Sequence, residues 1–332
     1  MSKIHVKFWG VRGSVPSPLS PAAAERKVVD AVHAACCHAS SPKTREAAEA
    51  WVKEHLPFHL RSTFGGNTTC VEVRCGDELI VFDMGTGLRE LGNALIPAIF
   101  KNKGQRVNVF QSHVHWDHIQ GFPFFAPIFF DRAAGVEINF HGGMEWQSSL
   151  DQVLEGQMDE PVFPVKMEEL EQTKARMAFK TVSDGAEFLL ADGAIKVVAR
   201  KLNHPQITFG YRVEYGGESV AFCTDHEPFG SLVPDRALVA LARDAGAFIT
   251  DCQYSHDEYT GVGKPLQKFG WGHSYPEYIA RVAAEAKSRK VVTTHHDPAS
   301  DDARIVDLAR TVQDGCKIET VPAYEGLVLS LG

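Results

Sequence analysis

The chain predicts an α/β fold in which two packed β-sheets are flanked by helices. Three observations lead there. Strands come first as hairpins and later interleave with helices, the order expected of layered sheets with outer helices. The strand-rich segments fall into two similar halves. At 332 residues, 44% hydrophobic and 23% charged, the chain has the length and composition to bury a large core as an ordinary globular protein.

The elements follow in order. Ile4, Val6 and Phe8 alternate with His5 and Lys7, which reads as a strand over 4–9. A Gly- and Pro-rich loop comes next, and its Arg12 is either a surface charge or an anion contact. Segments 21–35 and 44–55 are Ala-rich with helical spacing and are separated by Ser40-Ser-Pro. They predict a helical hairpin, making 17–60 an insertion into one domain that spans 1–332. Its role would be surface elaboration, a lid or a dimer contact. Strands at 69–75 and 78–83 are joined by Gly76 and Asp77 as in a hairpin. Asp83-Met-Gly-Thr-Gly opens a helix over 87–99. Strands are expected at 106–111, 136–141, 195–200, 209–215 and 218–223, the last two joined by Gly216 and Gly217. Segment 144–180 is acidic, with helical patterns at 145–154 and 166–175. A helix at 233–245 leads into a strand at 247–251. Pro276 starts a helix through 289, with Glu277 in its first turn. A strand at 290–294, a helix at 301–313 and two closing strands complete the chain.

Charge and cysteine usage exclude several classes. Net charge is −8, which argues against a protein living on nucleic-acid phosphates. A negative protein that handles a phosphorylated substrate must rely on metals and a few placed cations. The seven cysteines are odd in number and contain no C-x-x-C pair, so they form no disulfide framework and fit a reducing compartment. The N-terminus lacks the apolar core of a signal peptide. The most apolar run, 122–130, is short and broken by Pro123 and Pro127, too short to span a bilayer. A cytoplasmic protein with no membrane partner is the expectation.

The most informative stretch is His113-Val-His-Trp-Asp-His. Four potential metal ligands fall within six residues, whereas structural histidines usually arrive singly. Imidazole and carboxylate donors suit zinc, manganese and iron. The block leaves a predicted strand, and three more candidates sit at strand ends: His204, Asp225 and His295. His113, His115, Asp117, His118, His204, Asp225 and His295 make seven donors. One tetrahedral ion needs three or four, so seven imply two ions. Asp225 is the candidate bridging carboxylate, with the ions about 3.5–4 Å apart.

This block, with its ordered later partners, resembles the metallo-β-lactamase superfamily, and the resemblance covers most of the chain outside 17–60. Within it the chain is similar to the phosphodiesterase branch that includes tRNase Z, the phosphonate-pathway cyclic phosphodiesterase and cyclic-nucleotide phosphodiesterases. The residues that carry this are Asn203-His-Pro with Gly210-Tyr-Arg, Trp271-Gly-His-Ser and Thr294-His-His-Asp-Pro. The resemblance implies a four-layer αββα sandwich of two mixed sheets. It implies that His113, His115 and His204 hold one metal, that Asp117, His118 and His295 hold the other, and that Asp225 lies between them. His296 is the alternative last ligand. The implied ions are two divalent metals, zinc first, with manganese or iron as alternatives. His273 matches a histidine that contacts the scissile phosphate or protonates the leaving group. Asp251 falls where tRNase Z carries a Glu paired with that histidine, so the implied catalytic residues are His273, Asp251 and Asp117. Asp83 reads either as a partner orienting a ligand imidazole or as a helix cap.

The implied activity is hydrolysis of a small phosphodiester, a cyclic nucleotide among the candidates, by a metal-bound hydroxide. Segment 144–180 carries Glu145, Asp151, Glu155, Asp159, Glu160, Glu168, Glu169 and Glu171 against Lys166, Lys174, Arg176 and Lys180, which disfavours a polynucleotide. The Phe-rich run 122–130 is core or a surface for base stacking, with core the better reading. The alternative function is a di-iron oxygen-binding or redox sensor on the same fold, told apart by an oxygen-dependent visible spectrum. A homodimer is left open by the sequence.

Overall fold

The computed structural model describes residues 3–38, 42–144 and 148–332. The Ser40-Ser segment and the first residues of the 145–154 helical pattern lie outside them. In chain order the elements are β1 (Ile4–Gly10), α1 (Pro21–Cys37), α2 (Arg45–His55), α3 (Phe58–Arg61), β2 (Cys70–Cys75), β3 (Glu78–Phe82), α4 (Gly87–Asn102), β4 (Gln105–Phe110), α5 (Trp116–Ile119) and β5 (Val136–Gly142). There follow α6 (Leu150–Gln157), α7 (Met167–Thr173), β6 (Arg176–Thr181), β7 (Glu187–Leu190), β8 (Ile195–Leu202), β9 (Thr208–Tyr215), β10 (Glu218–Cys223) and α8 (Arg236–Ala242). The chain closes with β11 (Ala247–Asp251), α9 (His256–Thr260), α10 (Pro276–Ala286), β12 (Val291–Thr294), α11 (Asp302–Cys316), β13 (Thr320–Pro322) and β14 (Val328–Leu331).

Two seven-stranded mixed sheets result, ordered β14-β1-β2-β3-β4-β5-β6 and β13-β12-β11-β10-β9-β8-β7. Each half begins with antiparallel hairpins and continues with parallel strands. The inner faces meet in an apolar core. Val6, Phe8, Val73 and Phe82 from one sheet pack with Val197, Tyr211, Val213 and Phe222 from the other. Phe82 and Phe222 stack across the interface with ring centroids 4.8 Å apart. Outside the first sheet, Leu88, Leu91, Leu95 and Ile99 repeat at helical spacing along α4 and cover Val81, Val107 and Val109. Outside the second, Leu238 of α8, Ile279 and Val282 of α10 and Val312 of α11 cover Ala221, Phe248 and Val291. Parallel strands sheltered on both faces need no polar alternation, and β11 and β12 are buried at every residue. The layers are therefore helix, sheet, sheet and helix.

Three expectations needed change. Segment 176–190 contributes two edge strands, β6 and β7, where no strand had been read. Both are short and expose alternate residues, so their polar content masked the period of two. Arg12 is not a surface charge, and the anion it meets is a carboxylate of the chain itself. It is buried, and its guanidinium donates to the carbonyls of Gly65 at 2.9 Å, Ser300 at 2.9 Å and Asp297 at 3.2 Å, with Asp302 3.8 Å away. The Phe-rich run splits: Phe122 and Phe125 are core, whereas Phe124 is exposed. The two helices predicted within 17–60 are present as α1 and α2, and α1 packs against α3. Along α1 no residue is buried, and Lys27 fastens the helix to Asp302 at 2.8 Å and to the Ser62 carbonyl at 2.9 Å. Among the described residues no helix is long and apolar enough to cross a membrane.

Candidate metal centre

The strands deliver the site at their carboxyl ends, the usual ligand edge of an open α/β sheet. His113 follows β4, His204 follows β8, Asp225 follows β10, Asp251 ends β11 and His295 follows β12. Three residues at these exits hold left-handed backbone: Asp83 (φ 62°), Asp225 (φ 61°) and His295 (φ 53°). Such conformations cost about 1–3 kcal/mol for a non-glycine residue and persist where surrounding structure imposes them. Here they turn each side chain inward as the chain leaves its strand.

The block 113–118 is closed by Gln111, whose amide nitrogen donates to the carbonyls of His113 at 2.6 Å and His118 at 3.0 Å. The short α5 then presents Asp117 and His118 to the same space. Two groups of donors form. His113 Nε2 lies 2.8 Å from His115 Nδ1, which lies 3.2 Å from His204 Nε2, and Asp225 completes the set. His118 Nε2 and His295 Nε2 are 3.0 Å apart, and Asp117 Oδ2 is 3.3 Å from the first and 3.1 Å from the second. Asp225 reaches both groups. Its Oδ1 is 3.9 Å from His113 Nε2, and its Oδ2 is 3.2 Å from His118 Nε2 and 3.5 Å from His295 Nε2.

The outer nitrogens of four of these rings, His113, His118, His204 and His295, are occupied. His118 Nδ1–H donates to Asp83 Oδ2 at 2.7 Å, and Asp83 also accepts from the Ser112 amide at 2.7 Å and its hydroxyl at 2.8 Å. With its hydroxyl proton given to Asp83, Ser112 Oγ accepts from His113 Nδ1–H at 3.0 Å. His204 Nδ1–H donates to the Gly272 carbonyl at 3.0 Å, and the Gln253 amide sits 2.7 Å from His295 Nδ1. For His113, His118 and His204, whose outer nitrogen faces an acceptor, hydrogen bonds of this kind leave the inward nitrogen to ligate. Asp83 thus orients an imidazole; it does not cap α4, whose N-cap residue is Thr86. Two glycines permit the close approach. A Cβ on Gly13 would stand 2.4 Å from the His295 ring, and one on Gly272 would stand 2.2 Å from His204 Nδ1.

Imidazole nitrogens and carboxylate oxygens therefore face one another across a few ångströms, and the buried Asp225 Oδ2 has only the His118 and His295 rings beside it among the described ion pairs. Burial alone would lower the His118 pKa, yet Asp117, Asp225 and Asp83 together raise it well above its ordinary value. Burial likewise opposes the charge on Asp117, but His118 and His295 hold its pKa far below the usual carboxylate range. His113 and His204 lie further from the carboxylates, and burial keeps them neutral, His204 at about 4. The pocket demands positive charge at its centre and offers neutral imidazoles at its rim. Divalent cations satisfy that demand, so the donor set fits metal ions.

His296 stands outside this arrangement. Its Nε2–H donates to the Ala323 carbonyl at 2.9 Å, its ring packs edge-on against Phe64, and burial lowers its pKa to about 3. His273 does border the cluster, with its ring 5.2 Å from that of His295 and 5.9 Å from that of His204. Its Nδ1 lies 3.6 Å from Asp225 Oδ1 and 3.5 Å from Asp251 Oδ2. The closer bonds of Asp251 are to backbone: Oδ2 accepts from the Ser274 amide at 2.9 Å and Oδ1 from the His226 amide at 3.3 Å. Asp251 thus pins the two turns that carry Asp225 and His273.

Sequence reading missed Glu227, a buried carboxylate in the same wall. Its Oε1 accepts from the Gly270 amide at 2.6 Å and the Tyr259 hydroxyl at 2.9 Å, and its Oε2 from the Gly272 amide at 2.8 Å. Its backbone exchanges two 2.8 Å hydrogen bonds with Asn203. Proximity to Asp225 was the only signal available for it.

Comparison with known proteins gives the arrangement a context. A search of curated proteins found no match. Solved structures share the fold at low identity. The metallo-β-lactamase fold protein YhfI from Bacillus subtilis is 14% identical over all of both chains, with a TM-score of 0.62. A structure described as a new diphosphatase from the PhnP family is 19% identical, covers 100% of this chain and 98% of its own, and has a TM-score of 0.60. The short form of human tRNase Z is 19% identical over 99% of each chain, with a TM-score of 0.55. A family model described as the beta-lactamase superfamily domain matches residues 79–296, well over half of the sequence and a span that holds Asp83 and all seven donor residues, so the chain belongs to the metallo-β-lactamase superfamily.

Proposed function

We propose that this protein is a dinuclear metal-dependent hydrolase that cleaves a small phosphodiester, with cyclic nucleotides among its candidate substrates. The observation that carries the reading is the convergence of seven donor residues whose imidazole nitrogens and carboxylate oxygens face inward, in groups whose ligand atoms lie within 4.8 Å of one another. His113, His115 and His204 would hold one ion. Asp117, His118 and His295 would hold the other, with Asp225 between them. Zinc is the first choice for this donor set, with manganese or iron as alternatives. When bound, two such ions lower the pKa of water and offset charge on a phosphate.

The remaining steps belong to the chain. His273 has Nδ1 turned toward Asp225 and Asp251, which leaves Nε2 to meet the substrate. At that atom it would stabilise the charge that builds on phosphate or give a proton to the departing oxygen. Asp251 would act through it, holding the 273–274 turn in place. The Ser14 amide, 2.7 Å from Asp117 Oδ2, keeps that carboxylate directed into the site. Net charge of −8 and the acidic 144–180 segment favour a small substrate over a polynucleotide. The names of two structural neighbours, a diphosphatase and a tRNase, agree with a phosphate ester.

The test is a turnover screen. Protein loaded separately with zinc, manganese and iron is offered bis-p-nitrophenyl phosphate and the 2′,3′- and 3′,5′-cyclic nucleotides. Hydrolysis of at least one is expected. No turnover under all three metals would overturn the reading.

A further inference from the structure

Glu227 does more than support the wall. Through the Gly270 and Gly272 amides it anchors the turn 268–272, whose exposed side chains include Phe269 and Trp271. Lys268 folds back over this turn. Its ammonium lies 3.7 Å from the centroid of the Trp271 ring and 5.5 Å from that of Tyr254. The Tyr254 ring in turn packs edge-on against His273, 5.8 Å between centroids. A half-buried cation therefore stands one aromatic ring beyond the histidine proposed to meet the substrate. Among the described ion pairs none involves it, although Asp297, Asp251, Asp225 and Glu227 put negative charge around the neighbouring Tyr254. The ammonium is held over two aromatic rings and has no carboxylate to complete its coordination.

We propose that Lys268, with Trp271 and Tyr254, forms a subsite for a second phosphate group on the substrate. The substrate class is then a phosphodiester that carries a further phosphate monoester on an apolar or aromatic body. The phosphodiester half of that description rests on the function proposed above; the anion subsite rests on the turn. Trp271 and Phe269 present apolar surface to the body, and Lys268 presents a point charge to its phosphate. Glu227 fixes the backbone of this turn through the Gly270 and Gly272 amides.

Two measurements test this. In the first, calorimetry on zinc-loaded protein compares thymidine 3′,5′-bisphosphate with thymidine 5′-monophosphate, neither of which contains a phosphodiester. The wild type is expected to favour the bisphosphate by about tenfold, as one charge-assisted contact supplies. Lys268→Met keeps the stem on Trp271 and should cut that preference to below about twofold, while Lys268→Arg should retain most of it. In the second, metal-loaded protein is offered the p-nitrophenyl ester of thymidine 5′-phosphate with and without a 3′-phosphate, and the ratio of kcat/KM values should follow the same pattern. No preference in the wild type, or an equal preference in Lys268→Met, would overturn the subsite. A preference in binding with no nitrophenolate released from either ester would sink the phosphodiester reading and leave the anion subsite supported.

Discussion

Asp83 Oδ2 stands 2.7 Å from His118 Nδ1, and the same carboxylate accepts both hydrogens that Ser112 can offer. One side chain at the end of β3 thus sets the tautomer of His118 and, through Ser112, that of His113. Two rings assigned to different ions share one orienting group. Removing such an outer partner typically weakens metal binding by about 10–100-fold. Asp83→Ala is expected to fall in that range for zinc, measured by competition with a chromophoric chelator under conditions where circular dichroism shows the fold intact. Wild-type affinity in that variant would remove Asp83 from the account.

The adjacent histidines at the end of β12 should separate cleanly. His295 faces the cluster, whereas His296 is bonded to the Ala323 carbonyl and packed on Phe64. His295→Ala should lower metal content. His296→Ala should leave metal content at the wild-type value and lower stability by about 2–4 kcal/mol, from a lost buried hydrogen bond and the cavity left behind. Metal analysis and urea denaturation on both variants check the pair.

Arg12 makes a prediction about stability alone. Its three carbonyl partners and Asp302 tie the loop after β1 to Gly65 and to the start of α11. Arg12→Met fills similar space without donors. The loss should be about 2–4 kcal/mol in urea denaturation, because buried acceptors are left unpaired. A neutral effect would mean that water replaces the guanidinium.

His141 should make the protein acid-sensitive. It stacks on Phe110 at 4.3 Å and meets Phe188 edge-on at 4.9 Å, and both ring nitrogens lack a partner among the described residues. Burial, helped by Lys180, lowers its pKa from 6.5 to about 4. Between those values the unfolded chain binds a proton that the folded chain refuses. The stabilisation is complete above pH 6.5 and is lost as pH falls toward 4, by at most about 1.4 kcal/mol per pH unit from this group. In His141→Leu the decline over that window should be shallower by the same amount. An unchanged slope would assign the acid sensitivity elsewhere.

Much of the fold and site was legible before the structure, for identifiable reasons. Strands sheltered on one face keep their alternation, so β1 was readable from Ile4, Val6 and Phe8. The 113–118 block is local, and its four ligands share one turn of chain. What escaped was nonlocal. Arg12 is buried because carbonyls from two distant loops converge on it, a fact no feature of its own neighbourhood records. Glu227 is bonded to amides more than forty residues later in the chain. The choice between His295 and His296 depends on one left-handed residue at position 295. Strands β6 and β7 are exposed edges, where polar residues cost little and the pattern weakens.

The central claim is that Asp225 links two cation sites, and metal stoichiometry tests it most directly. Untreated wild-type protein, and protein reloaded with zinc after chelation, should carry two ions per chain by elemental analysis. Asp225→Ala should lose at least one of them and its hydrolytic activity together. Two ions per chain and full activity in Asp225→Ala would contradict the account.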